Sequence, residues 1–303
     1  MRAPLQLIAY ALATAAATTT TASAQRPLKV YISVDMEGIA GVVSGEQLGP
    51  TGFEYGRARQ WMTDETLAAI QGAREAGATE FVISDSHGNG QNLLIDQLPN
   101  DVTIIRSWPR PLMMMEGIDS TFAAAVFIGY HSSTSNMRGV RAHTMSSATL
   151  TGVALNGTQM PEGGVNAAIA GHFGVPVVAI SGDDAAVAEV SGIVGGAPME
   201  GAVVKRTISF HSAATMTPKA AQELIRVKVK TGVEKRAAIK PFTLRGSVTL
   251  DLSFKHYRTA EILAYLSIVT RTDAHSIRFV GRNVLEVSRF LEFVETYQPD
   301  LIP

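Results

Sequence analysis

The sequence predicts an α/β fold: an N-terminal, mostly parallel sheet flanked by helices, followed by a smaller C-terminal α+β domain. Three observations support this prediction. Short apolar runs rich in β-branched residues recur along roughly the first 180 residues, which is typical of strands buried in a parallel sheet. A helical pattern separates the first two runs, so they form a strand–helix–strand unit with a right-handed crossover. After about residue 205 the pattern changes to one strictly alternating segment and further helices.

The first 24 residues differ in composition from the rest of the chain. Arg2 precedes a short apolar run over 5–13, and Ala22-Ser23-Ala24 fits the small-x-small pattern that signal peptidase cleaves. We therefore predict that residues 1–24 are a signal peptide and that the mature protein is periplasmic or secreted. The alternatives are an uncleaved anchor or a plain tail. Residues 1–24 as a whole are too short and too rich in threonine for a good transmembrane helix, so we expect no membrane association after cleavage.

The bulk composition excludes several classes of protein. The 303 residues are 46% hydrophobic and 17% charged, which suits one large domain or two smaller ones and is too apolar for disorder. The net charge is −1 and no basic stripe is present, so we expect no nucleic-acid partner. The sequence has no cysteine, which excludes disulfides, thiolate metal ligands and a cysteine nucleophile.

The elements of the N-terminal region alternate between strand and helix. A helix is expected over residues 53–76, where apolar and small residues recur at helical spacing, and Gly77 ends it. Asn156-Gly157 predicts a tight hairpin, and the run 161–171 predicts a helix with Pro161 in its first turn. Four buried strands are expected, within residues 29–38, 80–84, 124–129 and 175–181.

The catalytic domain is expected over residues 25–205 and the smaller α+β domain over 206–303. In the smaller domain, Thr217-Pro218 opens an amphipathic helix that runs to about residue 230. Residues 242–254 alternate between apolar and polar side chains, as in a half-buried antiparallel strand. A helix over 258–265, a strand over 276–280 and a helix over 283–297 complete this part of the chain.

Each of the four predicted strands ends in polar residues of the kind that bind metal ions. Asp35 and Glu37 close the first strand at i and i+2, a spacing that puts both side chains on one face. His87 follows the second strand, His131 the third and Asp183-Asp184 the fourth. In open α/β sheets, ligands bind beyond the carboxyl ends of the strands. One such ending is equally well explained by solvated loop carboxylates, but four together predict a site.

Glu162 completes the candidate ligand set, although a glutamate in a first helical turn also complements the helix dipole. Two imidazoles and three carboxylates suit zinc, and also manganese or cobalt. Five ligands are more than one tetrahedral ion takes, so we expect two ions about 3.5–4 Å apart, bridged by Asp35 and able to activate water for hydrolysis. His143 could supply a proton or polarise a carbonyl without binding metal, or it could be an inert neighbour.

The candidate residues lie in a series of short sequence motifs. They are Ser33 to Gly41, Asp85-Ser86-His87, Met115-Glu116-Gly117, Gly129-Tyr130-His131, His143, Glu162 to Ala167 and Gly182-Asp183-Asp184. In this order, from about residue 28 to the C-terminus, the chain resembles the D-aminopeptidase family, peptidase family M55.

The resemblance implies a dizinc aminopeptidase that prefers N-terminal D-alanine-type residues of short peptides and assembles into a ring-shaped homodecamer. It makes His143 the catalytic residue. Two departures concern the pocket wall and hence substrate preference: Pro161 stands where the family often has glycine, and the loop from His131 to His143 is about one residue longer. The metal ligands that the resemblance implies are Asp35 (bridging), Glu37, His87, His131 and Glu162.

The sequence is also compatible with two other functions. The protein could be a dimetal hydrolase of another amide or ester, whose pocket has diverged. It could also be an exported binding protein that keeps a metal for structure. Structural zinc sites are normally closed by four ligands, with no spare histidine beside them, so the second alternative fits the sequence less well.

Overall fold

The computed structural model describes residues 27–195 and 198–297 and has the predicted α/β architecture. The predicted signal peptide lies outside the described residues. The strands are β1 (Lys29–Val34), β2 (Glu80–Asp85), β3 (Val102–Ile105), β4 (Ala124–Tyr130), β5 (Leu150–Leu155), β6 (Thr158–Gln159), β7 (Val177–Asp183), β8 (Glu200–Ser209), β9 (Ser212–Thr215), β10 (Val248–Phe254), β11 (Val269–Arg271) and β12 (Ser276–Gly281). The α-helices are α1 (Tyr55–Glu75), α2 (Glu162–His172), α3 (Asp184–Ile193), α4 (Pro218–Glu234), α5 (Tyr257–Leu263) and α6 (Val284–Thr296). Among these helices, none combines the length and the hydropathy that crossing a membrane requires.

The larger sheet contains seven strands in the order β3-β2-β1-β4-β7-β8-β9. All neighbours are parallel except the β8–β9 hairpin. Its two faces pack into different cores because side chains alternate along each strand. On β1, Val30 and Ile32 pack with apolar residues of α1 and α4, whereas Tyr31 packs into the core shared with α2, α6 and the second sheet. This explains why β1 reads as a continuous apolar run rather than an alternating one.

The smaller sheet is antiparallel, with the order β11-β12-β10-β5-β6. The hairpin predicted from the Asn156-Gly157 pair joins β5 to β6, and both residues have positive φ, 49° and 80°. Strand β10 alternates between buried and half-buried residues as predicted, but it begins at Val248 rather than at residue 242.

The secondary-structure elements do not divide between the two sheets at residue 205. Strand β8 crosses this position and extends the parallel sheet, and α4 packs against α1, β7 and β8. Conversely, β5 and β6 pair with β10. The sequence pattern changes at 205 because β8 becomes exposed towards its end, and not because a new layer begins there. Strand β8 therefore lacks the apolar run that identifies a central strand.

The parallel strand order reverses between β1 and β4. Strands β2 and β3 lie on one side of β1, whereas β4, β7 and β8 lie on the other. Connections that leave in opposite directions open a crevice beyond the carboxyl ends of the two central strands, which is where open α/β sheets bind ligands. Asp35 follows β1 and His131 follows β4, so both lie at this crevice.

Candidate metal centre

The structure brings all the sequence-predicted ligands and the predicted catalytic residue into one pocket of about 360 Å³. The five predicted ligands are no more than 7% exposed, and the His143 side chain is 12% exposed. Burial of this many ionisable groups is costly unless they pair with one another or with a metal. The five ligands and the catalytic residue predicted from the sequence, all of which line this pocket, are Asp35, Glu37, His87, His131, Glu162 and His143.

Two glycines allow the ends of β1 and β4 to touch. The Gly38 amide donates to the Gly129 carbonyl at 2.7 Å, and the Asp35 amide donates to the Ile128 carbonyl at 2.8 Å. A Cβ on Gly38 would lie 2.1 Å from the Tyr130 carbonyl oxygen. A Cβ on Gly129, whose φ is +72°, would lie 2.3 Å from the Asp35 carbonyl oxygen. The close approach that joins Asp35 to His131 therefore depends on glycine at both positions.

Asp35 contacts two imidazoles through different oxygen atoms. Its Oδ1 lies 3.3 Å from Nδ1 of His87, and its Oδ2 lies 3.2 Å from Nε2 of His131. The outer carboxylates complete the cluster: Oε2 of Glu37 lies 2.9 Å from Nδ1 of His87, and Oε1 of Glu162 lies 3.3 Å from Nε2 of His131. Asp35 thus occupies the central position, as a bridging carboxylate would.

Backbone carbonyls orient both imidazoles. Nε2 of His87 lies 2.8 Å from the Leu48 carbonyl oxygen, and Nδ1 of His131 lies 3.1 Å from the Ser132 carbonyl oxygen. A nitrogen that donates its proton to a carbonyl leaves the other ring nitrogen with a free lone pair. In both histidines that other nitrogen faces the carboxylates. Metal-binding histidines are held in this way.

Three buried atoms at the centre of the cluster have no hydrogen-bond partner among the described residues: Oδ2 of Asp35, Oε2 of Glu37 and Nε2 of His131. Buried polar atoms are nearly always paired. Bound metal would pair with these atoms, since each presents a lone pair. The donor set of imidazole nitrogens and carboxylate oxygens is one that zinc accepts. The residues therefore fit a zinc site.

The charges of these residues shift one another's pKa. Burial raises the pKa of Asp35, and the neighbouring charge of Glu37 raises it further. Burial would also raise the pKa of Glu37, but the charge of His87 holds that pKa well below the ordinary value. Burial lowers the pKa of His87, and Glu37 and Asp35 more than reverse this, so it lies well above the ordinary value. The cluster is thus stabilised by positive charge between its carboxylates.

His143 lies beside this cluster on a loop with a constrained backbone. Its ring is parallel to that of His131, with centroids 4.0 Å apart. Its Nδ1 lies 2.7 Å from the Arg141 carbonyl oxygen, so Nε2 is the free nitrogen and lies 3.8 Å from Oε1 of Glu162. Arg141 and Met145 both have positive φ, 54° and 62°. Nε2 is close enough to group with His131 and Glu162 as a ligand, and it is also placed to exchange a proton.

The fourth strand end does not join the cluster. Asp183 caps α3 by accepting from the Ala186 amide at 2.7 Å, and its other oxygen accepts from the Val140 amide at 2.8 Å. Asp184 accepts from the Thr207 amide at 2.9 Å. Asp183 therefore anchors the loop that leads to His143, and its place at the strand end follows from helix capping.

Sequence reasoning missed the wall of the pocket that α6 provides. Glu292 and Glu295 of α6 line the pocket, as do Trp108, Met113 and Met145. On the sequence, glutamates on an amphipathic C-terminal helix cannot be distinguished from ordinary surface charges. They reach the site only because α6 packs against α2 and against the segment around Met113–Met115.

Comparison with known proteins identifies the family. Residues 28–293 match the model of the peptidase M55 family, described as D-aminopeptidase. The chain is 32% identical over 263 residues to a D-aminopeptidase of Bacillus subtilis strain 168, covering 86% of this chain and 93% of that one. It is similar to the structure of a Zn-dependent D-aminopeptidase, DppA from Bacillus subtilis, described as a self-compartmentalizing protease; the TM-score is 0.84 and the identity 29%, over 90% of this chain and 100% of the other. The chain therefore belongs to the peptidase M55 family of D-aminopeptidases and is a hydrolase of the metallo-aminopeptidase class.

Proposed function

We propose that the protein is a zinc-dependent aminopeptidase that removes a D-alanine-like residue from the N-terminus of short peptides. The proposal depends on one observation: three buried atoms of the pocket that could bind a metal ion, Oδ2 of Asp35, Oε2 of Glu37 and Nε2 of His131, have no hydrogen-bond partner among the described residues. The zinc dependence printed for the similar structure supports the choice of metal. The proposed ligands are Asp35, Glu37, His87, His131 and Glu162.

We propose two zinc ions per chain. Asp35 contacts His87 through one oxygen and His131 through the other, so one ion could bind on each side of it. Glu37 would complete the ligands on the His87 side, and Glu162 those on the His131 side. Zinc in such a site supplies Lewis acidity and lowers the pKa of bound water.

The residues of the chain orient the reaction. The Met145 amide donates to Oε1 of Glu162 at 2.7 Å, which fixes this carboxylate beside His131. Since Nδ1 of His143 is occupied by the Arg141 carbonyl, its Nε2 can exchange a proton with the reacting group of the substrate. His143 is thus assigned to proton transfer or to stabilising the developing oxyanion rather than to metal binding.

The pocket suits a short peptide. Its volume of about 360 Å³ lies within the range of small-ligand sites. Trp108 forms a fixed apolar wall: its Nε1 donates to the Gly88 carbonyl at 2.7 Å, and the Arg110 guanidinium lies 4.1 Å from the ring centroid. A wall held in this way limits the size of the substrate residue that can reach the candidate metal centre.

Assembly and location are further parts of the proposal. The similar protein is described as self-compartmentalizing, and family resemblance implies a decamer, so we propose a homo-oligomeric ring for this chain. The sequence of residues 1–24 supports a periplasmic or secreted location. N-terminal sequencing of the mature protein should begin at Gln25, whereas an intact leader on cytoplasmic protein contradicts this location.

A panel of chromogenic substrates tests the activity. Purified mature protein, loaded with zinc, would be assayed on the p-nitroanilides of D-alanine and L-alanine, with and without a chelator. We expect faster hydrolysis of the D-isomer, loss of activity on chelation, and recovery with zinc. Hydrolysis only of amides or esters that lack a free amine would instead indicate another dimetal hydrolase. Firmly bound metal without hydrolysis of any substrate would favour a binding protein.

A further inference from the structure

Helix α6 supplies a second group of carboxylates to the pocket. Glu292, Glu295 and Thr296 all line it, together with the candidate metal ligands. Positions 292 and 295 are three residues apart and therefore lie on one face of the helix. Neither glutamate has a role in the metal centre described above.

Glu292 is engaged in holding the helix in place. It is 6% exposed, and its Oε1 accepts from the Arg110 amide at 2.9 Å. The Arg110 guanidinium is directed elsewhere, to Oγ of Ser84 and the Asp85 carbonyl oxygen, both at 2.8 Å. Glu292 therefore fixes α6 against the segment that carries Trp108, and it sets the position of Glu295 one turn further on.

The described residues that line the pocket offer Glu295 no lysine or arginine as a cationic partner. Burial raises its pKa to about 7, and the negative charge of Glu162 contributes to the increase, so the two carboxylates lie in one electrostatic environment. The histidines and the proposed metal ions compensate Asp35, Glu37 and Glu162. Glu295 has neither: its hydrogen bond with Thr149 supplies no charge, so a cation from the substrate is the natural partner.

An aminopeptidase substrate always carries such a cation. Its α-ammonium group is separated from the scissile carbonyl by a single carbon atom, so it must lie in the same cavity as the metal centre. We propose that Glu295 binds the α-ammonium group of the peptide substrate and thereby selects free N-termini. This inference rests on the proposed function. A substrate with a blocked or missing amine would leave this half-buried carboxylate without a cation, which disfavours its binding.

Replacing Glu295 by glutamine removes the charge with little change in shape. The matched control is Glu286→Gln, which removes one negative charge from the exposed side of α6, where Glu286 pairs with Arg282. With D-alanine p-nitroanilide we expect KM to rise about 10- to 100-fold in Glu295→Gln, while kcat changes less than about threefold. With propionic acid p-nitroanilide, which lacks the amine, any residual rate should be the same in both proteins. Glu295→Asp, which keeps the charge but shortens its reach, should fall between wild type and Glu295→Gln.

Several results would overturn the inference. An unchanged KM in Glu295→Gln would show that the carboxylate does not bind the amine. Loss of zinc from this variant, measured by mass spectrometry, would make Glu295 a metal ligand instead. A KM effect seen with D-lysine p-nitroanilide but not with D-alanine p-nitroanilide would assign Glu295 to a side-chain ammonium. If the wild-type protein hydrolyses neither anilide, the proposed function itself fails. A fully active wild type with an unaffected variant refutes only the role of Glu295. Melting temperatures of all variants verify that they are folded.

Discussion

The imidazole rings of His131 and His143 are stacked, with centroids 4.0 Å apart and an interplanar angle of 7°. His131 turns Nε2 towards Asp35 and Glu162, while Nε2 of His143 lies further out, 3.8 Å from Glu162. The two rings thus present their free nitrogens side by side, one at the base of the candidate metal centre and one in the pocket above it. The different positions of the two free nitrogens support the different roles that we propose for these two histidines.

Replacing His143 by glutamine should separate catalysis from metal binding. If Nε2 acts only in the transition state, kcat and kcat/KM should fall together, by roughly 10²–10⁴-fold, with little change in KM. Zinc content and melting temperature should remain close to those of wild type. The exposed His256 offers a control, because His256→Gln should leave all these quantities unchanged. Loss of zinc from the His143 variant would make it a ligand, and full activity would make it a bystander.

The central carboxylate should matter more for metal binding than an outer one. Asp35 contacts both imidazoles, so Asp35→Ala should empty both proposed metal sites and abolish activity. Without a bridge, two cations also repel each other with less compensation. Glu37 contacts only His87 of the two, so Glu37→Ala should mainly empty one site. Mass spectrometry of the purified variants gives zinc per chain. Equal metal content and similar activity in the two variants would refute the bridge.

The local part of the site could be predicted from the sequence because it is encoded in strand ends. Asp35 and Glu37 share a face through the two-residue period of an extended chain, and the carboxyl ends of parallel strands meet at one edge. His87 and His131 follow from the same reasoning, applied to β2 and β4. Asp183 also lies at a strand end but does not join the cluster, because a carboxylate at this position can equally cap the following helix.

The long-range part could not be predicted in this way. Glu295 reaches the pocket through the packing of α6, and Lys205 reaches the Glu37 loop from β8, 168 residues away. Neither contact leaves a periodic pattern, because each depends on how whole layers pack. The strands β3, β8 and β9 were missed for a related reason: they lie towards the two edges of the sheet, where partial burial removes the apolar run.

A buried glutamate behind the metal centre should make stability depend on pH. Glu65 is 1% exposed; its Oε1 accepts from the Ala40 amide at 2.9 Å, and burial raises its pKa from 4.5 to about 8. Between these values the folded state keeps a proton that the unfolded state has released. The free energy of unfolding should therefore fall as pH rises through this window, by up to about 1.4 kcal/mol per pH unit.

Glu65→Gln removes this dependence while keeping an acceptor for the Ala40 amide. Urea denaturation of both proteins at pH 5, 6.5 and 8 should show the variant gaining stability relative to wild type as pH rises. The pH dependence of metal binding is common to the two proteins, so it is removed when the unfolding free energy of one is subtracted from that of the other. Parallel pH profiles would show that Glu65 is ionised throughout in the folded protein.

A buried lysine holds the loop that carries Glu37. Lys205 is 1% exposed, and its Nζ donates to the carbonyl oxygens of Glu37, Ile39 and Val42. Burial lowers its pKa to about 8, an effect that the charge of Asp183 partly opposes. The ammonium from β8 thus joins three backbone carbonyls of one loop, of which the Ile39 carbonyl also accepts from the Val42 amide.

Lys205→Met should therefore weaken both the fold and the metal centre. Methionine fills similar space but removes the donor to the Glu37 and Val42 carbonyls, which should cost about 3–5 kcal/mol of unfolding free energy. Zinc should also dissociate more readily in a competition titration against a chelator, because Glu37 is no longer held in place. Lys235→Met is the control: Lys235 is 52% exposed and pairs with Glu200 at 2.8 Å, so its loss should cost less than about 1 kcal/mol. If Lys205→Met matches this control in urea denaturation and binds zinc like wild type, the loop does not depend on the buried ammonium.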